Sequence, residues 1–300
     1  MSKVSQLQSE LEAAAFVRDC IANFVKTSPV NRMPDGNDEV IFDEPLIQFA
    51  GGDDPLFAEY KTIIHPSHML PREALAKSQG KDADEISGRL SVISWILPIT
   101  AKAREANRLC KDSPARLWAY ARWYGEKFND ALRKHVVEVL GQKGYLATAP
   151  ALEPFFKTDF ENTDQKGIYS NWSERHVAYA AGLGTFGLSG GFISERGIAH
   201  RCGSVVTDLK LPISLRTAEN HMANCLVYSG GKCRACIVRC PGGAISEKGR
   251  DKAKCREHMH NNEPLREVYG VGVTGCGFCQ TKVPCEFQNP TKTLKKTAKG

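Results

Sequence analysis

A chain of 300 residues that is 42% apolar can bury one large core or two smaller ones. No run of eighteen apolar residues occurs, which argues against a transmembrane helix. The first 25 residues show neither an apolar signal core nor a twin-arginine pair, so a cytoplasmic protein is expected. The formal net charge of +6 is too mild to argue for nucleic acid by itself.

Residues 5–25 have the amphipathic pattern of a helix, followed by a long irregular stretch rich in Pro, Gly and Asp. Val92 to Pro98 is a short apolar run ended by proline and reads as a buried strand. Ser113 and Pro114 supply an N-cap and a first-turn proline for a long helix closing at Gly141. A second helical stretch, residues 172–181, runs into the glycine-rich segment Gly182 to Gly191. Residues 192–194 and 202–207 read as strands. The fold class is α/β, with residues 1–215 forming an α/β domain and residues 216–300 a loop-rich, cysteine-dense module. The glycine-rich segment contains a literal G-x-G-x-x-G, but a helix precedes it and a strand follows. A dinucleotide fingerprint needs the reverse, so a Rossmann site is not expected.

Eight of the eleven cysteines lie between Cys225 and Cys285. Clustered cysteines in a cytoplasmic chain read as metal ligands rather than disulfides. Cys233, Cys236 and Cys240 fall within eight residues, and Pro241 follows the last; this is how a ferredoxin-type loop wraps a cubane. In two-cluster ferredoxins the proline-flanked cysteine ligates the other cluster. The crossing gives cluster B as Cys240, Cys255, Cys276 and Cys279. Cluster A takes Cys233 and Cys236. The two standard positions for its remaining ligands are held by Gly230 and Val283, yet Cys225 and Cys285 stand close to both gaps. One altered cluster is simpler than two separate losses, so cluster A is read as Cys225, Cys233, Cys236 and Cys285. The competing reading is a pair of four-thiolate zinc sites. Two clusters of net charge about −2 would bring the chain near +2. Cys20, Cys110 and Cys202 are expected to be small buried hydrophobes, and the run Lys292, Lys295, Lys296, Lys299 a solvated end.

Taken with His176 to Gly184 and with Gly203 to Leu209, the double cluster motif resembles the epoxyqueuosine reductase and reductive dehalogenase superfamily, over roughly residues 91–290. The resemblance implies a nitroreductase-like α/β core that binds cobalamin with its lower base detached, followed by a ferredoxin-like module carrying two 4Fe–4S clusters. It implies that Gly182, Leu183, Gly184 and Gly187, with Gly203, Ser204, Val205 and Thr207, lie against the corrin, where glycines would permit close backbone approach. The chain departs from the family as well. Ala147 stands where epoxyqueuosine reductases carry an aspartate proton donor, and neither their helical-repeat extension nor the dehalogenase leader is present in the 300 residues. A divergent branch with a changed substrate is expected, and tRNA is not the expected partner.

A reductase of this kind needs a proton donor. The candidates are Tyr120, Glu174 and His176, with Arg122, Tyr169 and Arg175 beside them in the sequence; His135 and His200 are weaker. No D-x-H-x-x-G motif offers a histidine to the detached base face. The leading expectation is an oxidoreductase that takes electrons from a low-potential ferredoxin- or flavodoxin-type donor, through two clusters and a corrinoid, to a small-molecule substrate. The alternative is a corrinoid-handling protein that reduces or transfers cobalamin without a substrate of its own; a pure electron carrier ranks last, because it needs no two hundred residues ahead of its clusters.

Overall fold

Ser91–Pro98 carries bulky side chains on both faces, and all eight of its residues are buried. A strand apolar on both sides needs cover on both sides. In the computed structural model, which describes residues 3–34, 39–159 and 168–292, this strand lies inside a four-stranded antiparallel sheet. The order is Leu46–Gly51, Ser91–Pro98, His200–Thr207, Ala147–Thr148. Ile93 stands opposite Phe49 and Val205, and Trp95 opposite Ile47 and Gly203. Phe49, Ile93, Trp95, Leu97 and Val205 face the helices Lys3–Thr27 and Arg116–Gln142. Ala50, Val92, Ile96 and Val206 face Pro55–Ile63, Pro71–Ser78 and Glu174–Ala180. The result is a three-layer mixed α/β sandwich. Among the described residues no helix is long and apolar enough to cross a membrane.

The stretch between the first helix and Ser91 departs from the expected irregularity. It contains an edge strand and two helices, and the Pro and Asp residues that suggested loops are helix starters. Pro55 and Pro71 open their helices, where the missing N–H costs nothing. Asp54 accepts the Leu56 N–H at 3.1 Å, and Glu73 accepts the Leu70 N–H at 2.8 Å. The long helix begins at Arg116, so Ser113 and Pro114 lie outside it. Its first turn is capped from another helix, Ala101–Leu109, whose Asn107 accepts the Ala115 N–H at 3.0 Å. The helix expected from Trp172 starts at Glu174, and the last long strand starts two residues early, at His200. Gly184–Phe186 and Phe192–Ser194 form a hairpin after that helix, an order unlike a dinucleotide fold.

From residue 216 onward regular elements are short: the helices Ala235–Val238, Lys252–His260 and Leu265–Tyr269, and a two-stranded ribbon. The segment has an apolar cluster of its own, in which Cys225, Ile245 and Val283 pack with Leu188, Ile193 and Ile198 from the preceding hairpin region. Two close approaches press it onto the long helix. A Cβ on Gly272 would stand 2.5 Å from the Trp123 ring, and one on Gly277, at φ +72°, 2.0 Å from that of Trp118. Lys292 pairs with Glu195 at 2.5 Å, whereas Lys295, Lys296 and Lys299 lie outside the described residues.

Candidate iron–sulfur site and adjoining cleft

The eight clustered cysteines divide between two cavities. Cys225, Cys233, Cys236 and Cys285 line one, against the side chains of Leu188, Ile193 and Ile198. Cys240, Cys255, Cys276 and Cys279 line the other, of about 150 Å³, whose far wall is Trp118, Arg122 and Arg201 of the α/β core. These are the same two sets of four that the crossing arrangement gives.

The electrostatics group the thiols in the same way. Burial, then Cys225, Cys236 and Cys233, push the Cys285 thiol well above its ordinary range. Cys276 is pushed up to about 12 by burial and by Cys279, Cys255 and Cys240, against the pull of a backbone hydrogen bond. Cys236 is pushed up to about 12 by burial and then by Cys279, a member of the other set, so the two cavities adjoin there. Crowded, buried thiols are poor anions on their own, and a cationic metal centre reverses that.

Three contacts from the core hold the ligand loops. Asn107, fully buried, donates to the Cys276 carbonyl at 3.3 Å and to Thr281 Oγ1 at 3.0 Å. Glu286, beside Cys285, accepts from Arg104 Nη1 at 3.0 Å and from Arg108 Nε at 2.8 Å. Arg239, between Cys236 and Cys240, donates to the carbonyls of Cys110 at 2.6 Å and Asn107 at 2.7 Å, with its guanidinium over Phe278. The Ala244 N–H points at Cys240 Sγ at 3.3 Å; a hydrogen bond of this kind tunes a sulfur when it ligates a cluster.

Positive charge gathers beside the second cavity. Arg122, Arg201 and Arg250 line it. Glu126 approaches Arg122 at 3.8 Å and Arg201 at 3.7 Å while pairing with Arg133 at 3.1 Å. Burial and the neighbouring Arg122 bring Arg201 down to about 9, and its buried Nε has no hydrogen bond. A cleft of about 400 Å³ continues outward and shares Arg250, Cys255, Met259 and Gly275 with this cavity.

The expected proton donors lie elsewhere. Tyr120 is buried in the main core, where its hydroxyl accepts from Arg116 Nε at 2.6 Å. It is on the opposite side of the long helix from Trp118 and Arg122, the pair at i, i+4 that reaches the cavity. Glu174 is bound by Arg133 at 3.0 Å and by the Ser204 hydroxyl at 2.6 Å. His176 contacts Ser173 Oγ at 2.8 Å and packs against Tyr60 and Phe186; burial and nearby Arg175 lower it to about 3. Tyr169 stacks on His65 at 3.8 Å. His135 contacts Cys20 Sγ at 3.4 Å, and His200 Nε2 contacts the Phe192 carbonyl at 2.8 Å. Cys20, Cys110 and Cys202 are half-buried and each has a polar neighbour, so they are not the simple hydrophobes expected. Of the candidates, Arg122 lines the second cavity and Arg175 the outer cleft. Trp118, Arg201, Arg250 and Lys252 were missed; in the sequence they are unmarked, since only the packing of core against module brings them together.

Most of the segments expected to meet a corrin are closed, although Gly182 and Gly184 are partly exposed and Gly182 and Leu183 border a surface cavity with Arg18, Leu46 and Glu195. Leu183, Ser204, Val205 and Thr207 are no more than 5% exposed, and Gly187 and Gly203 are buried. Ser204 accepts from Trp172 Nε1 at 3.0 Å, and Thr207 donates to the Leu146 carbonyl at 2.8 Å. The glycines serve internal packing: a Cβ on Gly203 would meet the Trp95 ring at 2.4 Å, one on Gly184 the Ile193 carbonyl oxygen at 2.2 Å, and one on Gly182 that of Leu215 at 2.8 Å.

No protein-family model matches the chain. Curated epoxyqueuosine reductases do. That of Burkholderia pseudomallei is 25% identical over 200 residues, covering 61% of this chain and 44% of that protein. That of Aliivibrio fischeri is 28% identical over 214 residues, covering 66% and 50%. That of Francisella cf. novicida is 32% identical over 130 residues, covering 41% and 34%. The chain is a distant homologue of these epoxyqueuosine reductases, and the matches span half or less of these relatives. A structure of epoxyqueuosine reductase from Bacillus subtilis superposes with a TM-score of 0.46 at 16% identity, over 91% of this chain and 66% of that one. A catabolic reductive dehalogenase gives 0.49 at 13%, over 93% and 38%.

Proposed function

We propose that the chain is an iron–sulfur oxidoreductase of the epoxyqueuosine reductase and reductive dehalogenase superfamily. It holds one 4Fe–4S cluster on Cys225, Cys233, Cys236 and Cys285 and a second on Cys240, Cys255, Cys276 and Cys279, and it reduces a small organic substrate in the cleft beside the second. When bound, the clusters supply one-electron transfer between a low-potential donor of ferredoxin or flavodoxin type and that cleft. The division of eight cysteines between two adjoining cavities carries this reading. A zinc tetrathiolate, with Zn–S of about 2.3 Å, draws its sulfurs to a point. Thiols spread around a cavity suit a larger centre.

The chain's own residues do the rest. Cys236 and Cys279 bring the two sets side by side. Arg122, Arg201 and Arg250 offset the negative charge that four thiolates impose. Glu286, Asn107 and Arg239 fix the ligand loops on the core.

The resemblance also implies cobalamin, and most of the residues carried over for it do not fit one: Leu183, Ser204, Val205 and Thr207 are buried, and a Cβ on Gly184 or Gly203 would meet protein atoms. Anaerobic reconstitution with iron and sulfide tests the main reading: about eight of each per chain are expected, and a colourless protein with stoichiometric zinc would overturn it. A cobalamin titration of the same sample is expected to leave the corrinoid spectrum unchanged, and a stoichiometric spectral change would restore the corrin.

A further inference from the structure

The outer cleft carries cations that meet no carboxylate among the described residues. Arg175, half-buried on the helix Glu174–Ala180, donates to the Gly190 carbonyl. Lys252, exposed at the start of the helix Lys252–His260, donates to the Ile168 carbonyl at 2.6 Å. The Arg250 side chain has no hydrogen bond or ion pair among the described residues. By contrast, His260 and Arg266 at the same cleft are both paired with Glu263. The three unpaired cations repel one another: Arg250 lowers Arg175, and both lower Lys252, after burial as the larger cause in each case. Arg250 borders both cavities and can answer the charge of the second cluster. Arg175 and Lys252 line the outer cleft alone. Cations that meet no anion among the described residues suit an anionic ligand, and the cleft has the size of a small-molecule site.

We propose that this cleft is an oxyanion site: Arg175 and Lys252 bind a carboxylate or phosphate group of the substrate and hold the rest of it against Cys255 and Gly275. The inference rests on the reductase reading and adds the substrate class.

The test is calorimetric titration of the reconstituted full chain with inorganic phosphate and, separately, with benzoate. Iron and sulfide are measured on the same samples. Saturable binding of one or both is expected, weakened about tenfold or more by Arg175→Gln and by Lys252→Gln and unchanged by Lys61→Gln, a surface cation on a helix of the core. Which anion binds more tightly separates the carboxylate from the phosphate. If Arg175→Gln fails to fold for want of the Gly190 contact, Lys252→Gln and the charge-keeping Arg175→Lys decide the matter. No saturable binding of either anion, or equal weakening by Lys61→Gln, overturns the site. Anion binding with clusters absent would overturn the redox reading and leave the site standing; intact clusters without binding would do the reverse.

Discussion

Glu286→Gln removes one charge from the joint between core and cluster loop while keeping the side chain's size. Glu286 is 1% exposed and accepts from Arg104, from Arg108 at 2.9 and 2.8 Å, and from the Lys282 N–H at 2.7 Å. Charged hydrogen bonds contribute about 1.5–3 kcal/mol, and breaking a buried pair costs about 3–5 kcal/mol. Arg108 is 33% exposed and is screened, whereas Arg104 is 12% exposed. The lower part of the range therefore applies, about 2–3 kcal/mol, which is about 30- to 150-fold in a local opening equilibrium. The loop that opens carries Cys285, so the first cluster should be the one exposed. The assay is bleaching by an iron chelator, with EPR to distinguish the clusters. The first cluster should be lost about 30- to 150-fold faster and the second at close to its former rate. Unchanged bleaching of the first cluster, or equal acceleration of both, would refute the reasoning.

Cys225→Ser and Cys285→Ser are expected to impair the same cluster; EPR showing that they damage different ones would reject the pairing. Gly203→Ala should destabilise the fold by about 2–4 kcal/mol, since a methyl at 2.4 Å from the Trp95 ring overpacks the core and strains the Trp95–Asn129 hydrogen bond of 2.9 Å. The shift of the urea midpoint measures this, and a variant of normal stability with altered corrinoid affinity would show instead that Gly203 faces a ligand. Burial lowers His68 and His200 from 6.5 to about 4 and His176 to about 3. The unfolded chain therefore takes up protons near 6.5 that the native chain refuses, and stability falls as pH drops from 6.5 towards 4. The urea midpoint should follow that decline, less steeply in His176→Gln, and a flat profile would contradict it.

The grouping of the eight cysteines into two sets was readable because Cys233, Cys236 and Cys240 lie within eight residues and the proline after Cys240 marks the expected crossing. The buried strand was readable for a similar reason, since an apolar run of that length has one stable place. The region before it was misread because proline and aspartate mark both loops and helix starts; only the apolar residues Phe57, Tyr60 and Leu75 behind them, all buried, distinguish the two. The glycines were misassigned for a related reason. A glycine shows that something comes close, and in Gly184 and Gly203 that something is the chain itself. The cations of the cleft come from residues far apart in sequence, a core helix and the module's ribbon, and no local pattern joins them.

The side chains that grip the cysteine loops, Arg104, Asn107 and Arg108, precede Cys225 by more than one hundred residues. A chain made from its N-terminus can therefore have its anchors in place before the first of these thiols leaves the ribosome. Residues 216–300 made alone would meet iron with no Asn107 to hold the Cys276 carbonyl and no arginine for Glu286. The cysteine segment is thus a poor candidate for transplantation, since the contacts from Arg104, Asn107 and Arg108 would stay behind in the core.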